Sequence, residues 1–406
     1  MKVYNVLTNA ALFMAVLMAV MTGCTYDVAE PQWYADYQAP PTPTITQVTP
    51  ADVAGPGVST ITITGTNFAV DPDTNLVYFG NVRAEIVAAS ATAITVLRPN
   101  LVTDSAYIKV VSPKALVVAK LAQPYKIDQV HQRWGSFLVA TEALSGAAID
   151  DNENLYVTNQ SSKRIYKVDP TNNQILLGEA TRIPADAKIG PDGNLVLMCT
   201  NRVIEAMDVT TGAVSEWGRL PTGKNAKFGD FDANGYLYTG GAKSDLFTIG
   251  PDKNPVASTL YAKDDINAVR VYNGYLYLLI KPGGTGTVQT IVRHSIGAAG
   301  ALGPKEVMLE WNEATVGTLV TRTIRGITFS STGIMYAVTD SVDPLLMVDL
   351  TAKTVQIMYK GILPGYCKYF CGSSRQYIYM IVGDTTLGVE WTVYRVDVGV
   401  AGAPYL

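Results

Sequence analysis

The sequence predicts an all-β chain in which a small β-sandwich precedes a six-bladed β-propeller. The first observation is a pattern met six times between Gly146 and Val398: an apolar strand, a polar turn, then a second strand carrying an aliphatic pair, usually aliphatic–Tyr. The pairs are Leu155-Tyr156, Leu195-Val196, Leu237-Tyr238, Leu276-Tyr277, Met335-Tyr336 and Ile378-Tyr379, and their first members lie 40, 42, 39, 59 and 43 residues apart. A period near 40 residues with turn-punctuated strands fits propeller blades rather than helical repeats. The second observation is composition. Hydrophobic residues make up 48% and charged residues 16% of the 406, with 35 Gly and 21 Pro, as many short strands and tight turns require. The third is that long amphipathic helical patterns are missing. A formal net charge of −4 argues against nucleic acid as a partner, which would call for a basic face.

Taken in order, residues 1–23 read as a targeting segment. Lys2 is a short basic region, and Ala10 to Met21 is an apolar run too short to span a bilayer comfortably. Met21-Thr22-Gly23-Cys24 then resembles a bacterial lipobox. The resemblance implies acylation at Cys24 and a membrane anchor through the N-terminal lipid. Thr25, rather than Asp, follows Cys24, which points to an outer-membrane lipoprotein of the cell envelope; the leaflet, and with it surface exposure, stays open. Residues 24–42 form a Pro-containing, semi-extended tether. Its Trp33, Tyr34 and Tyr37 suit either packing on a protein surface or lipid headgroups.

Residues 43–127 read as a compact β unit. Strands are expected at Thr44–Val48, Ser59–Gly65, Leu76–Phe79, Val82–Ala88, Ala93–Leu97 and Ala106–Val111, with turns at Thr49-Pro50, Gly55-Pro56-Gly57, Asp71-Pro72-Asp73 and Gly80-Asn81. Pro43-Thr44-Ile45 with Val48-Thr49-Pro50, then Ile61-Thr62-Ile63-Thr64-Gly65-Thr66-Asn67-Phe68, Val77-Tyr78-Phe79-Gly80 and Ala93-Ile94-Thr95-Val96 resemble an IPT/TIG domain. The resemblance implies an immunoglobulin-like sandwich serving as spacer or interaction module, not chemistry.

Residues 128–406 carry the blades. Inner strands are aligned on the apolar anchors Ile149, Ile189, Phe228, Val271, Phe329 and Phe370. Outer strands are expected at Arg164–Val168, Val203–Val209, Ser244–Ile249, Thr290–His294, Leu345–Leu350 and Thr392–Val398. Units such as Gly146–Asp150, Asn154–Val157 and Arg164–Val168 resemble NHL repeats and the related six-bladed lactonases and lyases. A strand within Trp134–Ala140 is expected to close the ring against the last blade, leaving no long free edge.

On this alignment the residues before the anchors are Ala148, Lys188, Lys227, Arg270, Thr328 and Tyr369. Lys188, Lys227 and Arg270 would then stand at one level of the central channel, with Arg325 and Lys368 nearby and Asp186, Asn225 and Asn267 near the mouth. Converging cations favour an anionic ligand such as an acidic sugar. Pairing with carboxylates, or reach into solvent, is the plain alternative.

Other motifs are weighed the same way. Asp230-Phe231-Asp232-Ala233-Asn234-Gly235 opens like a calcium loop, with Ca²⁺ near Asp230, Asp232 and Asn234. The closing carboxylate is missing, Gly241 standing in its place. An ordinary hairpin turn explains it equally. Lys281 to Thr287 is Gly-rich but lacks the Gly-Lys-Ser/Thr end of a phosphate loop. An insertion over Ile296 to Thr323 carries Trp311, which would either stack on a sugar ring or pack within a strand. Cys199, Cys367 and Cys371 read as buried thiols, with a strained Cys367–Cys371 bridge as the other reading. The two histidines, His131 and His294, supply no convergent catalytic set, and no catalytic residue is nominated. The function expected is binding of a polysaccharide or an outer-membrane protein partner. A lactonase-like hydrolase or lyase, or a structural part of a surface assembly, are the rivals.

Overall fold

The computed structural model describes Met14 and residues 38–137, 143–284 and 288–405. Cys24, the signal segment and the tether aromatics Trp33, Tyr34 and Tyr37 lie outside the described residues. Among the described residues, no helix is long and apolar enough to cross a membrane.

The sandwich begins with Thr44–Thr49 paired to Thr60–Thr66, which pairs in turn with Ala93–Leu97. Alternation decides which way its residues face: Ile61 and Ile63, and likewise Ile94 and Val96, point into one core. Leu76–Phe79 and Ile108–Val111 build the facing sheet. The expected strand over Val82–Ala88 is two strands. Val82–Ala84 pairs with Leu76–Phe79, while Ile86–Ala89 crosses to the other sheet beside Ala93–Leu97. Ala106–Val111 divides likewise, at Tyr107. Gly65 shows why the bend before Phe68 needs glycine: a Cβ there would meet Thr44 O at 1.9 Å and the Phe68 ring at 2.5 Å.

The propeller has six four-stranded antiparallel blades. Their inner strands are Leu144–Ile149, Pro184–Ile189, Phe228–Phe231, Asp265–Tyr272, Ile324–Phe329 and Cys367–Gly372. Each inner strand packs beside the next and the sixth returns to the first, so the ring is complete. Closure comes from His131–Arg133, which pairs as the fourth strand of the last blade with Val389–Asp397. Trp134 N extends that ladder to Val393 O at 2.9 Å. The closing strand therefore lies just upstream of the expected Trp134–Ala140.

All six aliphatic pairs sit at or next to the start of the second strands, buried. Two of the tyrosines have a specific task. Tyr156 Oη donates to Asp150 Oδ2 at 3.1 Å and Tyr238 Oη to Asp232 Oδ2 at 3.0 Å, across the turn joining the first two strands. The other oxygen of each Asp accepts turn backbone N–H groups, from Asn152 and Asn154 or from Asn234 and Tyr236. A carboxylate thus satisfies donors that a tight turn leaves unpaired.

The sandwich sits on the flank of the fifth and sixth blades. Tyr359 Oη accepts from Gly57 N at 2.5 Å and donates to Asp397 O at 2.6 Å. Arg98 donates to Gly55 O and Asp128 O, and its guanidinium lies 5.8 Å from the Tyr359 ring centre. Lys360 pairs with Glu85 at 2.8 Å.

Candidate functional site

Strand pairing fixes the level of each inner-strand residue. Opposite the second-strand residues Tyr156, Val196, Tyr238, Tyr277, Tyr336 and Tyr379 stand Ala148, Lys188, Asp230, Arg270, Thr328 and Cys371. The expected row of three cations is therefore cation, carboxylate, cation. The anchor of the third blade is Phe231, not Phe228, and Gly372 replaces Phe370 in the sixth. Phe228 and Phe231 are both apolar and three apart, so they face opposite sides of one strand, and a sequence pattern cannot choose between them.

The middle of the channel is internally satisfied. Lys188 Nζ lies 2.9 Å from both oxygens of Asp186 and 3.1 Å from Ala187 O. Burial opposes the charge on Lys188, but Asp186, Tyr405 and Asp230 outweigh it and raise its pKa. Arg270 is 1% exposed. Its Nη1 donates to Asp230 Oδ2 at 2.9 Å and Val271 O at 2.7 Å, and its Nη2 to Ala403 O and Pro404 O at 2.9 and 2.8 Å. Lys188 and Arg270 thus follow the plain reading, paired with carboxylates, and present no free charge to a ligand.

The mouth lies at the N-terminal ends of the inner strands. There Lys227, Phe228, Asn267, Arg325, Lys368, Tyr369 and Trp391 surround a cavity of about 180 Å³. Arg325 leans on Asp340 through Nε at 2.9 Å and through Nη2, and Lys368 Nζ on Asp384 at 2.8 Å. Lys368 and the Thr386 hydroxyl hold the Asp384 carboxyl well below the usual range. Lys227 is exposed, with its ammonium 5.4 Å from the Phe228 ring centre and no carboxylate at ion-pair distance among the described residues. Trp391 is 6% exposed and forms a wall of the cavity. Its indole sits over Gly383, where a Cβ would come within 2.5 Å of the ring.

Of the residues singled out in the sequence, Lys227, Asn267, Arg325 and Lys368 line the mouth, and Asp186, Lys188 and Arg270 line the narrower channel below it. Asn225 does not join them. Its amide donates to Ala242 O at 3.3 Å, and its backbone N bonds Ser244 Oγ at 2.7 Å, tying down a loop of the third blade. Trp311 is 2% exposed and donates from Nε1 to Arg322 O at 3.0 Å. It ends Glu306–Trp311, the regular fourth strand of its blade, and packs with Leu309, Val316 and Ile324. It has no face free to stack on a sugar.

Of the calcium-loop candidates, Asp230 lies in the inner strand Phe228–Phe231, and residues 232–235 make the hairpin turn that follows it. Asp230 is bound to Arg270 and Val271 N, and Asp232 to Asn234 N, Tyr236 N and Tyr238 Oη. No group of three or more His, Cys, Asp or Glu side chains stands at metal-holding distance among the described residues. His294 is structural: Nδ1–H donates to Gly303 O at 2.8 Å, so Nε2 accepts from Tyr261 Oη at 2.6 Å. Cys199, Cys367 and Cys371 are buried free thiols, and burial pushes Cys199 up to about 12. Trp391, in the third strand of the sixth blade, and Tyr405, which no sequence pattern marks, are the site residues sequence reasoning missed. Counting inward from the aliphatic–Tyr pairs would have corrected the blade register.

Residues 43–124 match the IPT/TIG domain family. No curated protein matches the chain. A structural genomics protein of unknown function from Bacteroides thetaiotaomicron superposes with a TM-score of 0.52 at 12% identity, over 89% of this chain and 99% of that one. A putative gluconolactonase gives 0.52 at 12% identity, over 68% of this chain and 94% of its own. A gluconolactonase from Xanthomonas campestris gives 0.51 at 13%, over 66% and 89%. At such identities the likeness is one of fold. The chain is an immunoglobulin-like IPT/TIG sandwich joined to a six-bladed propeller similar in fold to these structures.

Proposed function

We propose that the protein is an envelope lipoprotein, anchored through Cys24, whose propeller binds an acidic saccharide at the channel mouth. The carrying observation is the mouth itself. An unpaired ammonium (Lys227), an amide with no hydrogen-bond partner among the described residues (Asn267), and the aromatic walls Trp391, Tyr369 and Phe228 surround one cavity. Cations select an acidic group, and ring faces suit the apolar side of a sugar. A cavity of about 180 Å³ holds about six water molecules' worth of liquid. That is the scale of a sugar ring, not of a protein epitope.

Calorimetric titration of the mature chain with acidic and neutral oligosaccharides tests this. Acidic sugars should bind and neutral ones should not. Lys227→Ala should weaken binding about tenfold or more, the worth of one charge-assisted hydrogen bond. Equal affinity for neutral and acidic sugars, or an unchanged Lys227→Ala, would sink the proposal.

A further inference from the structure

The channel is closed at its far end by the chain itself. After the last blade the tail recrosses the lower face. Ser331 N donates to Ala401 O at 2.8 Å, Gly402 N to Arg375 O at 2.7 Å, and Ala403 N to Phe329 O at 2.9 Å. Arg270 Nη2 then holds Ala403 O and Pro404 O. This delivers Tyr405 beneath the channel. Its Oη accepts from Gly372 N at 3.1 Å and lies 3.4 Å from Thr328 Oγ1, while the Arg270 guanidinium covers its ring at 3.7 Å. Above the ring, the channel between Asp186, Lys188, Arg270 and Arg325 narrows to about 40 Å³, room for about one water. The mouth cavity therefore narrows to a waist about one water wide above Tyr405.

Charge narrows the ligand further. Asp340 and Asp384 balance Arg325 and Lys368 at the mouth. Asp186 balances Lys188, and Asp230 balances Arg270. Of these channel and mouth cations, Lys227 alone has no carboxylate at ion-pair distance among the described residues. A single negative charge neutralises it. A phosphate monoester, carrying about −1.5 to −2 at neutral pH, brings an excess that no second free cation at the mouth balances.

Resting on the ligand-binding reading above, we infer that the mouth takes one carboxylated sugar ring end-on: a free uronic acid or the terminal uronic acid of a chain, not an internal stretch of polymer. A chain threaded through the ring is barred by Tyr405 and the narrow waist. Selectivity is set by the end group of the ligand and is blind to the sugars behind it.

The test titrates the mature chain with galacturonic acid, its dimer and its hexamer, with galactose 6-phosphate, and with the hexamer methyl-esterified on its terminal units. The three acids should bind within about threefold of one another per chain. The phosphate and the end-esterified hexamer should bind at least about tenfold more weakly. Affinity rising more than about tenfold from monomer to hexamer, or insensitivity to end esterification, would overturn end-on binding while leaving acidic-sugar recognition standing. Stronger binding of the phosphate would overturn the charge count. No binding of any acid would overturn both readings.

Discussion

Asp230 of the third blade and Arg270 of the fourth form an ion pair at 2.9 Å with both side chains almost wholly buried. The same carboxylate oxygen accepts Val271 N at 2.7 Å, so one acid joins two blades through side chain and main chain. Removing one partner of such a pair strands the other in a medium that cannot solvate it. Asp230→Ala should destabilise the protein by about 3–5 kcal/mol, read as a lowered denaturant midpoint. A loss under about 1 kcal/mol would mean that water replaces the carboxylate.

The turn tyrosines give a smaller effect. Tyr156→Phe or Tyr238→Phe removes one hydrogen bond to a carboxylate while keeping the ring. Each should cost about 1.5–3 kcal/mol, and the two should add, since they sit in different blades. The double variant checks this in thermal melts.

Glu153 sets a pH dependence. Its side chain is 4% exposed, Oε2 accepts from Tyr379 Oη at 3.3 Å, and Oε1 has no hydrogen-bond partner. Burial raises its pKa, against the pull of Ser373, Arg375 and Tyr379. The folded state then holds a proton that the unfolded chain has already released. This contribution is therefore most favourable below the ordinary glutamate value of about 4.3, and it is lost as pH rises through the folded pKa. Glu153→Gln should raise the melting temperature at pH 8 and leave it nearly unchanged at pH 4. Equal shifts at both pH values would show that charge is not the cause.

Tyr359 governs how the sandwich sits. Tyr359→Phe leaves Gly57 N–H and Asp397 C=O without their shared hydroxyl, a loss of about 1–3 kcal/mol. The expected outcome is faster protease cleavage over residues 128–130, the short connection between sandwich and propeller, with the six blades intact. Unchanged cleavage would place the docking energy on Arg98 and the Lys360–Glu85 pair instead.

Much of the fold was legible because it rests on period and alternation. The Leu155-Tyr156 family of pairs marked all six second strands, and Ile61-Thr62-Ile63-Thr64 marked a half-buried strand with its faces assigned. The site was less legible because it depends on register. Taking Phe228 for Phe231 moved Lys227 three residues down the channel and concealed Asp230, the very group that neutralises Arg270. Trp391 and Tyr405 share a different difficulty. Gly383 meets Trp391 across a hairpin and Gly372 meets Tyr405 through the returning tail, and neither contact is written in the alternation of its own strand.

The closing strand also sets a load path. His131–Arg133 follows the sandwich directly, and its ladder to Val389–Asp397 is the zip that holds the ring shut. A pull on the tether side of the sandwich would peel that zip open one hydrogen bond at a time were the sandwich loose. Clamped to Tyr359 and Lys360 on the adjoining blade, the sandwich instead diverts tension into the fifth blade's loop and shields the zip. The sandwich is thus also a strain relief: under tension the Tyr359 clamp would yield first, and the propeller ring would open only afterwards.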